Sequence, residues 1–435
     1  MPLPIVAIIG SPNVGKSTLF NRLLKKRVAV VDDRPGVTRD RNYAPCTWNG
    51  KNFYLVDTGG LIPSTRNELE IQVKIQSESA IAEADLILFL IDNKIGPQEI
   101  DLEIARRLRK ANKKVLLVAN KVDNQKEEQE IYTLSRLGLG EPYPVSATNG
   151  RNATELLEEI SRNIPEVMPE EEKGIKVAVI GRANVGKSTY VNALLGEEKL
   201  VVSQTPGTTR DAIDTKIKIK GDDFILIDTA GLRKRVKIKD QLEYYTSLRT
   251  IRSIQRADVC LLLTEAPFGM VTQDLKIAGE VMDMWKGLVI GVNKWDMIQK
   301  ESKSADYYTR WIKSYAPFLE FVPIIFISSK SGQRVEKTIE LVKDVYNERG
   351  KRIPTNELNS VMEEEIRRQP PSAVKGKYIK IYYCTQTGIE PPSFVFFSNY
   401  PDLIKKPYLK YLHNKIREHF GFTGCPIRIK VNKRE

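Results

Sequence analysis

Eight residues, Gly10-Ser11-Pro12-Asn13-Val14-Gly15-Lys16-Ser17, carry chemistry that the rest of the chain must serve. Their order fits the G-x-x-x-x-G-K-S/T pattern, a glycine-rich turn whose backbone N–H groups converge on phosphate oxygens. Gly10 and Gly15 keep side chains out of the way. Lys16 can reach the β- and γ-phosphates, the Ser17 hydroxyl can ligate Mg²⁺, and Thr18 follows in the first helical turn. The pattern occurs twice. Gly181 to Ser188 reads GRANVGKS, 171 residues later, so Gly181, Gly186, Lys187, Ser188 and Thr189 repeat the set. A repeat of that length is a duplicated domain, since solenoid periods are several-fold shorter.

The neighbouring elements must hold each loop in place. Ile5–Ile9 and Val177–Ile180 are apolar runs of strand type, and the stretch from Thr18 to Leu24 is helical, so each loop joins a strand to a helix N-terminus. That terminus adds unpaired N–H donors and a positive dipole end. Further on, Pro35-Gly36-Val37-Thr38-Arg39-Asp40 reads as a loop, where Thr38 can complete a Mg²⁺ shell and sense the γ-phosphate. Strands over Tyr43–Trp48 and Asn52–Val56 follow, turning at Asn49-Gly50-Lys51. The second leads into Asp57-Thr58-Gly59-Gly60. Asp57 can hold the Mg²⁺ shell through water, and the Gly60 N–H can meet the γ-phosphate. Leu61 comes next, where Ras-like proteins place a water-orienting glutamine; leucine cannot orient water by hydrogen bonding.

A helical stretch, Glu68–Ala84, then strand Leu86–Ile91, helix Glu99–Lys110 and strand Val115–Ala119 lead to Asn120-Lys121-Val122-Asp123. The Asp123 carboxylate can accept from guanine N1–H and the 2-amino group together. Adenine lacks both donors and leaves that carboxylate unpaired, so the site selects guanine. Lys121 can cover the base with its aliphatic stem. After a strand at Tyr143–Val145, the backbone of Ser146-Ala147-Thr148 can meet guanine O6. The second repeat supplies Thr209, Asp228, Gly231, Asn293-Lys294-Trp295-Asp296 and Ser328-Ser329 in the same order, and Leu232 matches Leu61. It then departs: Arg233-Lys234-Arg235-Val236-Lys237-Ile238-Lys239 is a basic run placed to move with the γ-phosphate sensor.

At 435 residues the chain suggests about two to four domains, each able to bury a core. Its 41% hydrophobic and 28% charged content are those of a soluble globular protein, and no apolar run approaches a membrane span. Four scattered cysteines and a first strand that begins close to Met1 point to a reducing cytoplasm and leave no room for a signal peptide. Charge is uneven. Residues 1–173 hold 24 Lys+Arg against 25 Asp+Glu (−1), residues 174–352 hold 30 against 22 (+8), and residues 353–435 hold 14 against 8 (+6). The excess points to a polyanionic partner met from the C-terminal side. The acidic, Pro-bearing stretch 164–173 reads as a linker between a first domain, 1–163, and a second, 174–352.

The last part, 353–435, has the order α-β-β-α-β. The expected elements are a helix Glu357–Arg368 capped by Thr355, strands Lys377–Tyr383 and Ser393–Ser398, a basic helix Leu403–Phe420 and a strand Ile427–Val431. Lys405, Lys406, Lys410, Lys415 and Arg417, interleaved with Tyr408 and Tyr411, suit RNA contact, while Tyr408, Leu412 and Ile416 also read as the core stripe of that helix. Gly421-Phe422-Thr423-Gly424 has a GxxG spelling but precedes a strand, so it reads as a turn. His413 and His419 indicate no metal site.

Two guanine-nucleotide domains in tandem, followed by a small basic domain, closely resemble the Der (EngA) family of bacterial double-Era GTPases across the whole chain. The resemblance implies an α/β fold class. Two tandem Ras-like P-loop domains, doubly wound around mostly parallel sheets, precede a small α+β KH-like C-terminal domain. It implies hydrolysis of GTP to GDP with Mg²⁺, in a switch that serves biogenesis of the large ribosomal subunit. The expected partner is that subunit or its precursor, met in the cytoplasm by a monomer with no membrane. The matching residues are Asn13, Lys16, Ser17, Thr38, Asp57, Asn120 and Asp123, and then Asn184, Lys187, Ser188, Thr209, Asp228, Asn293 and Asp296. In related members an asparagine placed like Asn13 and Asn184 helps hold K⁺, which gives those two a catalytic role beside Lys16, Thr38, Lys187 and Thr209. Ser11, Ala183 and Ser329 depart from the family's usual Arg, Pro and Ala. Two other readings stay open: an RNA-binding scaffold with structural GTP, and a GTPase of tRNA modification.

Overall fold

The computed structural model describes residues 3–25, 43–58, 78, 80–111, 113–165, 174–196, 201–203, 214–229, 243–298, 304–374 and 376–434. Thr38, Gly60, Leu61, Thr209, Gly231, Leu232, the basic run that follows it, and most of the acidic linker and of the Glu68–Ala84 stretch lie outside them. The chain divides into two compact units, Met1–Glu171 with Lys237–Arg252, and Glu172–Val236 with Ser253–Glu435.

The first unit is built on a six-stranded sheet in the order β2-β3-β1-β4-β5-β6. These are Tyr43–Trp48, Lys51–Asp57, Ile5–Ile9, Leu86–Asp92, Lys114–Asn120 and Tyr143–Pro144. All pairs are parallel except the β2–β3 hairpin. That hairpin turns at Asn49 (φ 48°) and Gly50 (φ 76°), the left-handed pair a tight right-twisted turn requires. β1 is buried along its whole length and β4 likewise, as strands with both faces covered must be. Helices α1 (Lys16–Lys25) and α3 (Ala153–Asn163) cover one face: Leu19, Phe20 and Leu23 meet Leu156, Leu157 and Ile160 over Val6, Ile8 and Leu88. Each such side chain contributes about 1.5–3 kcal/mol on burial. Between β4 and β5 runs α2, Glu99–Lys110, with the bounds the sequence predicts. Register sets the site: Ile8 pairs with Asp57 and Asp92 with Asn120, so the loops that carry the sequence motifs leave one end of the sheet.

The second unit repeats this as a seven-stranded sheet, β13-β12-β11-β7-β10-β9-β8. The strands are Ile324–Phe326, Gly287–Asn293, Val259–Glu265, Ile175–Ile180, Asp222–Ile227, Thr215–Ile219 and Val201–Ser203. Its helices include α4 (Lys187–Leu195), α5 (Thr272–Asp283), α6 (Ser304–Tyr315) and α7 (Val335–Gly350). The C-terminal part has α8 (Thr355–Arg368), β14 (Ile381–Gly388), β15 (Ser393–Ser398), α9 (Lys406–Phe420) and β16 (Arg428–Lys433), with a sheet ordered β14-β15-β16. One hydrophobic core runs from Val177 and Leu261 through Val342 and Val345 of α7 to Phe394, Leu412, Ile416 and Phe422.

Several C-terminal boundaries differ from the expectation. β14 starts at Ile381, not Lys377, because Val374 and Lys377 exchange backbone bonds in a turn and pairing with β15 begins at Ile381 opposite Ser398. Thr355 is the first helical residue, and Pro354 holds the cap position. α9 starts at Lys406, after a 3-10 turn at Pro401–Leu403. Lys415 and Arg417 are drawn inward. Lys415 pairs with Glu365 and Glu418. Arg417 donates to the Phe422 and Cys425 carbonyls and lies 3.6 Å over the Phe321 ring. Tyr408 and Tyr411 donate to the Gln369 and Glu365 carbonyls. Lys405, Lys406 and Lys410 are exposed.

Candidate nucleotide sites

Each phosphate loop is folded around its own lysine. Lys16 Nζ donates to the Gly10 and Ser11 carbonyls at 2.9 and 2.8 Å, and Lys187 Nζ to those of Gly181 and Arg182 at 2.7 Å each. Burial lowers both ammonium pKa values, Lys187 to about 8, while Asp57 and Asp101 act the other way on Lys16 and Asp274 on Lys187. A cation short of partners in a buried loop is an anion receptor. Asn13 and Asn184 sit exposed at the crest of each loop in the left-handed conformation, φ 63° and 65°, which asparagine tolerates.

The glycine at position six of each loop is there for a reason the motif does not announce. A Cβ on Gly15 would lie 2.4 Å from Asn120 Nδ2, and one on Gly186 2.4 Å from Asn293 Nδ2. Those asparagines staple three loops. Asn120 Nδ2 donates to the Val14 carbonyl at 2.7 Å, and its Oδ1 accepts the Ala147 N–H at 3.0 Å. Asn293 does the same with Val185 (2.8 Å) and Ser329 (2.9 Å). The Ser329 hydroxyl adds a further bond to Asn293 at 2.9 Å. Asn120 and Asn293 are buried, so they hold the site together, and Asp123 and Asp296 are the motif residues left to face a base.

Ser17 Oγ donates to Asp57 Oδ2 at 2.5 Å, so two of the expected metal ligands already meet. Asp228 follows β10 as its counterpart, in the left-handed region (φ 58°), with its N–H on Asp214 Oδ1 at 3.0 Å. At the base end, Asp123 accepts from Lys94 Nζ and Ser146 Oγ at 2.7 Å each and from Asn149 Nδ2 at 3.0 Å. The Lys94 bond, then that of Ser146, holds its carboxyl below the usual range. Lys121 and Lys294 stretch to Asp92 (2.5 Å) and Glu265 (2.7 Å), laying their stems along the loop. Trp295 packs against Tyr308 and Phe326. This arrangement fits a guanine nucleotide and Mg²⁺: a loop with glycines where a Cβ would clash, a lysine cation folded into it, a hydroxyl–carboxylate pair, and at the base end a carboxyl held below its usual range.

Four acids stand by these loops outside the sequence motifs. Asp92 and Glu265 close their strands, and Asp101 and Asp274 sit buried in the first turns of α2 and α5. Their shared spacing of 173, the same as between Asn120 and Asn293, was the available signal. Burial raises the carboxyl pKa of Asp101 and Asp274, opposed in part by the N–H groups of Gln98 and Val271. In the second repeat the Arg182 guanidinium lies 3.6 Å from both Glu265 and Asp274. In the first, Ser11 hydrogen-bonds Asp101 instead.

Among the described residues no helix is long and apolar enough to cross a membrane, and no cluster of His, Cys, Asp and Glu could hold a metal by itself. A family model described as "50S ribosome-binding GTPase" matches residues 5–121 and 176–294, and one described as "KH-domain-like of EngA bacterial GTPase enzymes, C-terminal" matches 352–432. GTPase Der of Caldanaerobacter subterraneus subsp. tengcongensis is 51% identical over 436 residues, covering 100% of this chain and 99% of that protein. GTPase Der of Chloroherpeton thalassium is 47% identical over 434 residues, covering 99% and 100%. A solved structure of Aquifex aeolicus Era bound to GDP and AlF4− is similar at 26% identity and a TM-score of 0.32, covering 59% of this chain and 88% of that one. With two intact phosphate cradles, matched at this identity from end to end, the chain belongs to the Der family of GTPases, enzymes that bind and hydrolyse GTP.

Proposed function

We propose that this GTPase is a two-site switch acting, as a cytoplasmic monomer, on the large ribosomal subunit or its precursor. One observation carries the reading: both repeats match a 50S ribosome-binding GTPase model, in a chain whose charge excess lies wholly in its last two parts. The domain borders fall at 163, 174 and 353.

In each site the loop N–H groups, with Thr18 or Thr189, bind the phosphates, and Lys16 or Lys187 meets the charge that grows on the γ-phosphoryl oxygens. Ser17, Thr38 and Asp57, and Ser188, Thr209 and Asp228, hold Mg²⁺, which when bound neutralises phosphate charge. Gly60 and Gly231 report the γ-phosphate. Asp123 and Asp296 read the guanine edge, and Asp123 must exchange Lys94 for the base. With Leu61 and Leu232 in place of a polar water-orienting group, a further cation is needed, and Asn13 and Asn184 are placed to help hold K⁺. Hydrolysis should therefore run at least about tenfold faster in K⁺ than in Na⁺, the size of one transition-state contact. Equal rates would remove the K⁺ role.

The test of the whole reading is co-sedimentation with large ribosomal subunits, at fixed salt, in GDP and in a non-hydrolysable GTP analogue. Binding in the analogue alone is expected. Equal binding in both states, or none, would refute the switch.

A further inference from the structure

The second repeat carries an aromatic pocket beside its nucleotide loops. Pro267, Phe268 and Gly269, between β11 and α5, face Tyr307, Tyr308 and Trp311 of α6 across an open pocket of about 210 Å³. Phe268 and Tyr307 are 69% and 64% exposed, and Trp311 stacks on the half-exposed Tyr315 with centroids 5.4 Å apart and planes 9° from parallel. So many rings at one surface spot are costly to leave in water and mark a place where something binds. Gly269 is required there: its φ is 65°, and a Cβ would lie 3.0 Å from the Trp311 ring.

The walls are anchored to both nucleotide loops. Phe268 lies 5.6 Å beneath the guanidinium of Arg182, in the phosphate loop. Tyr308 donates its hydroxyl to the Ala266 carbonyl and sets its ring edge against Trp295, inside the base-reading loop. The first repeat serves as an internal control. At the same 173-residue spacing its counterparts of Phe268 and Gly269 are Ile95 and Gly96, and a Cβ on Gly96 would meet nothing within 4 Å. The first repeat thus carries its phosphate and base-end motifs with an aliphatic side chain and an unwalled glycine at this place.

The shape and charge select the occupant. Flat walls accept one planar ring. Arg310 precedes Trp311 directly and Lys313 follows it by two, and the only acid on α6 is Asp306. Residues 174–352 as a whole carry +8. A neutral peptide ring would leave those cations unmatched, whereas an unpaired base arrives with a phosphate on each side. We propose that this pocket stacks one unpaired base of a single-stranded RNA segment, with Arg310 and Lys313 meeting the flanking phosphates. The proposal rests on the ribosomal reading above and adds where, and in what form, the RNA is held.

The test uses the full chain saturated with GDP and a fluorescein-labelled single-stranded RNA decamer, with a duplex of equal length as reference. Trp311→Ala should weaken decamer binding at least about fivefold, leave duplex binding and GDP affinity unchanged, and be rescued by Trp311→Phe. Ultraviolet crosslinking of the unaltered protein to the decamer should map to Phe268, Tyr307 or Trp311. Crosslinks confined to other segments, or decamer binding equal in Trp311→Ala and parent, would overturn the pocket. So would a decamer that is released by a proline-rich peptide at lower concentration than by unlabelled RNA. Failure of the unaltered chain to bind large subunits at all would refute the ribosomal reading instead, whatever the decamer does.

Discussion

Ser11 and Arg182 occupy the same place in two otherwise matching phosphate loops, and they leave different charges behind the phosphates. Arg182 lies 3.6 Å from Glu265 and from Asp274. In the first repeat Asp92 has Lys121 as its partner, but Asp101 has hydrogen bonds from Ser11 and the Gln98 N–H and the more distant charge of Lys16, with no guanidinium beside it. One positive charge is therefore missing beneath the first site. In a partly buried setting a unit charge about 8–16 Å from an anion is worth about 1–2 kcal/mol at an effective dielectric near 20. Ser11→Arg should then tighten GDP binding at the first site by about five- to thirtyfold. Fluorescent-nucleotide titration reads this in a Lys187→Ala background, which silences the second site. An unchanged affinity would mean that a charge at position 11 does not reach the bound phosphates.

At the scale of elements, a different carboxylate decides how α8 and α9 stay together. Glu365 of α8 is buried, and it receives Tyr411 Oη at 3.0 Å, Lys415 Nζ at 3.2 Å and His419 Nε2 at 3.1 Å, all from α9. Burial alone would raise its pKa, but the bonds from His419, Lys415 and Tyr411 outweigh it and bring the carboxyl down to about 2. A depressed folded-state pKa stabilises the protein above the ordinary value of 4.5 and loses that contribution as pH falls from there toward 2. Thermal melts of the parent should drop across this window. Glu365→Gln should cost about 2 kcal/mol at pH 7 and flatten the acid limb; an unchanged acid limb would show that the cluster contributes nothing. No sequence pattern displays this cluster, because its members are 46 to 54 residues apart and three of them look like surface polar residues of a basic helix. By contrast the strands of the first repeat, α2 and both glycine-rich stretches were legible, since hydrophobic runs, glycine spacing and the doubled motif are local signals. β14 was misplaced for a local reason too: Lys377–Tyr383 has strand composition, but its first residues are consumed by the Val374–Lys377 turn. The pairing of Asn120 with Gly15 was hidden because it needs the third dimension.

For the molecule as a whole, the second repeat and the C-terminal sheet share one core, and the hinge of that union is the turn Gly421 to Gly424. The Gly424 N–H donates to the Phe321 carbonyl at 2.8 Å, and its carbonyl accepts the Leu288 N–H at 2.9 Å, extending the edge of a β-strand in the second repeat. Phe422 is buried in the common core and its N–H reaches Glu348 of α7 at 2.5 Å. A GxxG turn that could have faced a ligand is thus spent on joining two parts of the chain. Gly424 is also where the join is most easily broken. Its φ is 70°, and an added Cβ would lie 2.5 Å from Val345 Cγ2 and 2.9 Å from the Leu288 carbonyl oxygen, a backbone atom that cannot rotate away. Gly424→Ala should therefore destabilise the second unit by about 2–4 kcal/mol, combining overpacking with a disfavoured backbone. Calorimetry of the full chain should show the transition of residues 172–236 and 253–435 moving down by several degrees or splitting in two. Nucleotide affinity at the first site, whose loops belong to the other unit, should stay as it was. If the transition keeps its position and width, the shared core does not hold these parts together, and the C-terminal sheet is an independent domain.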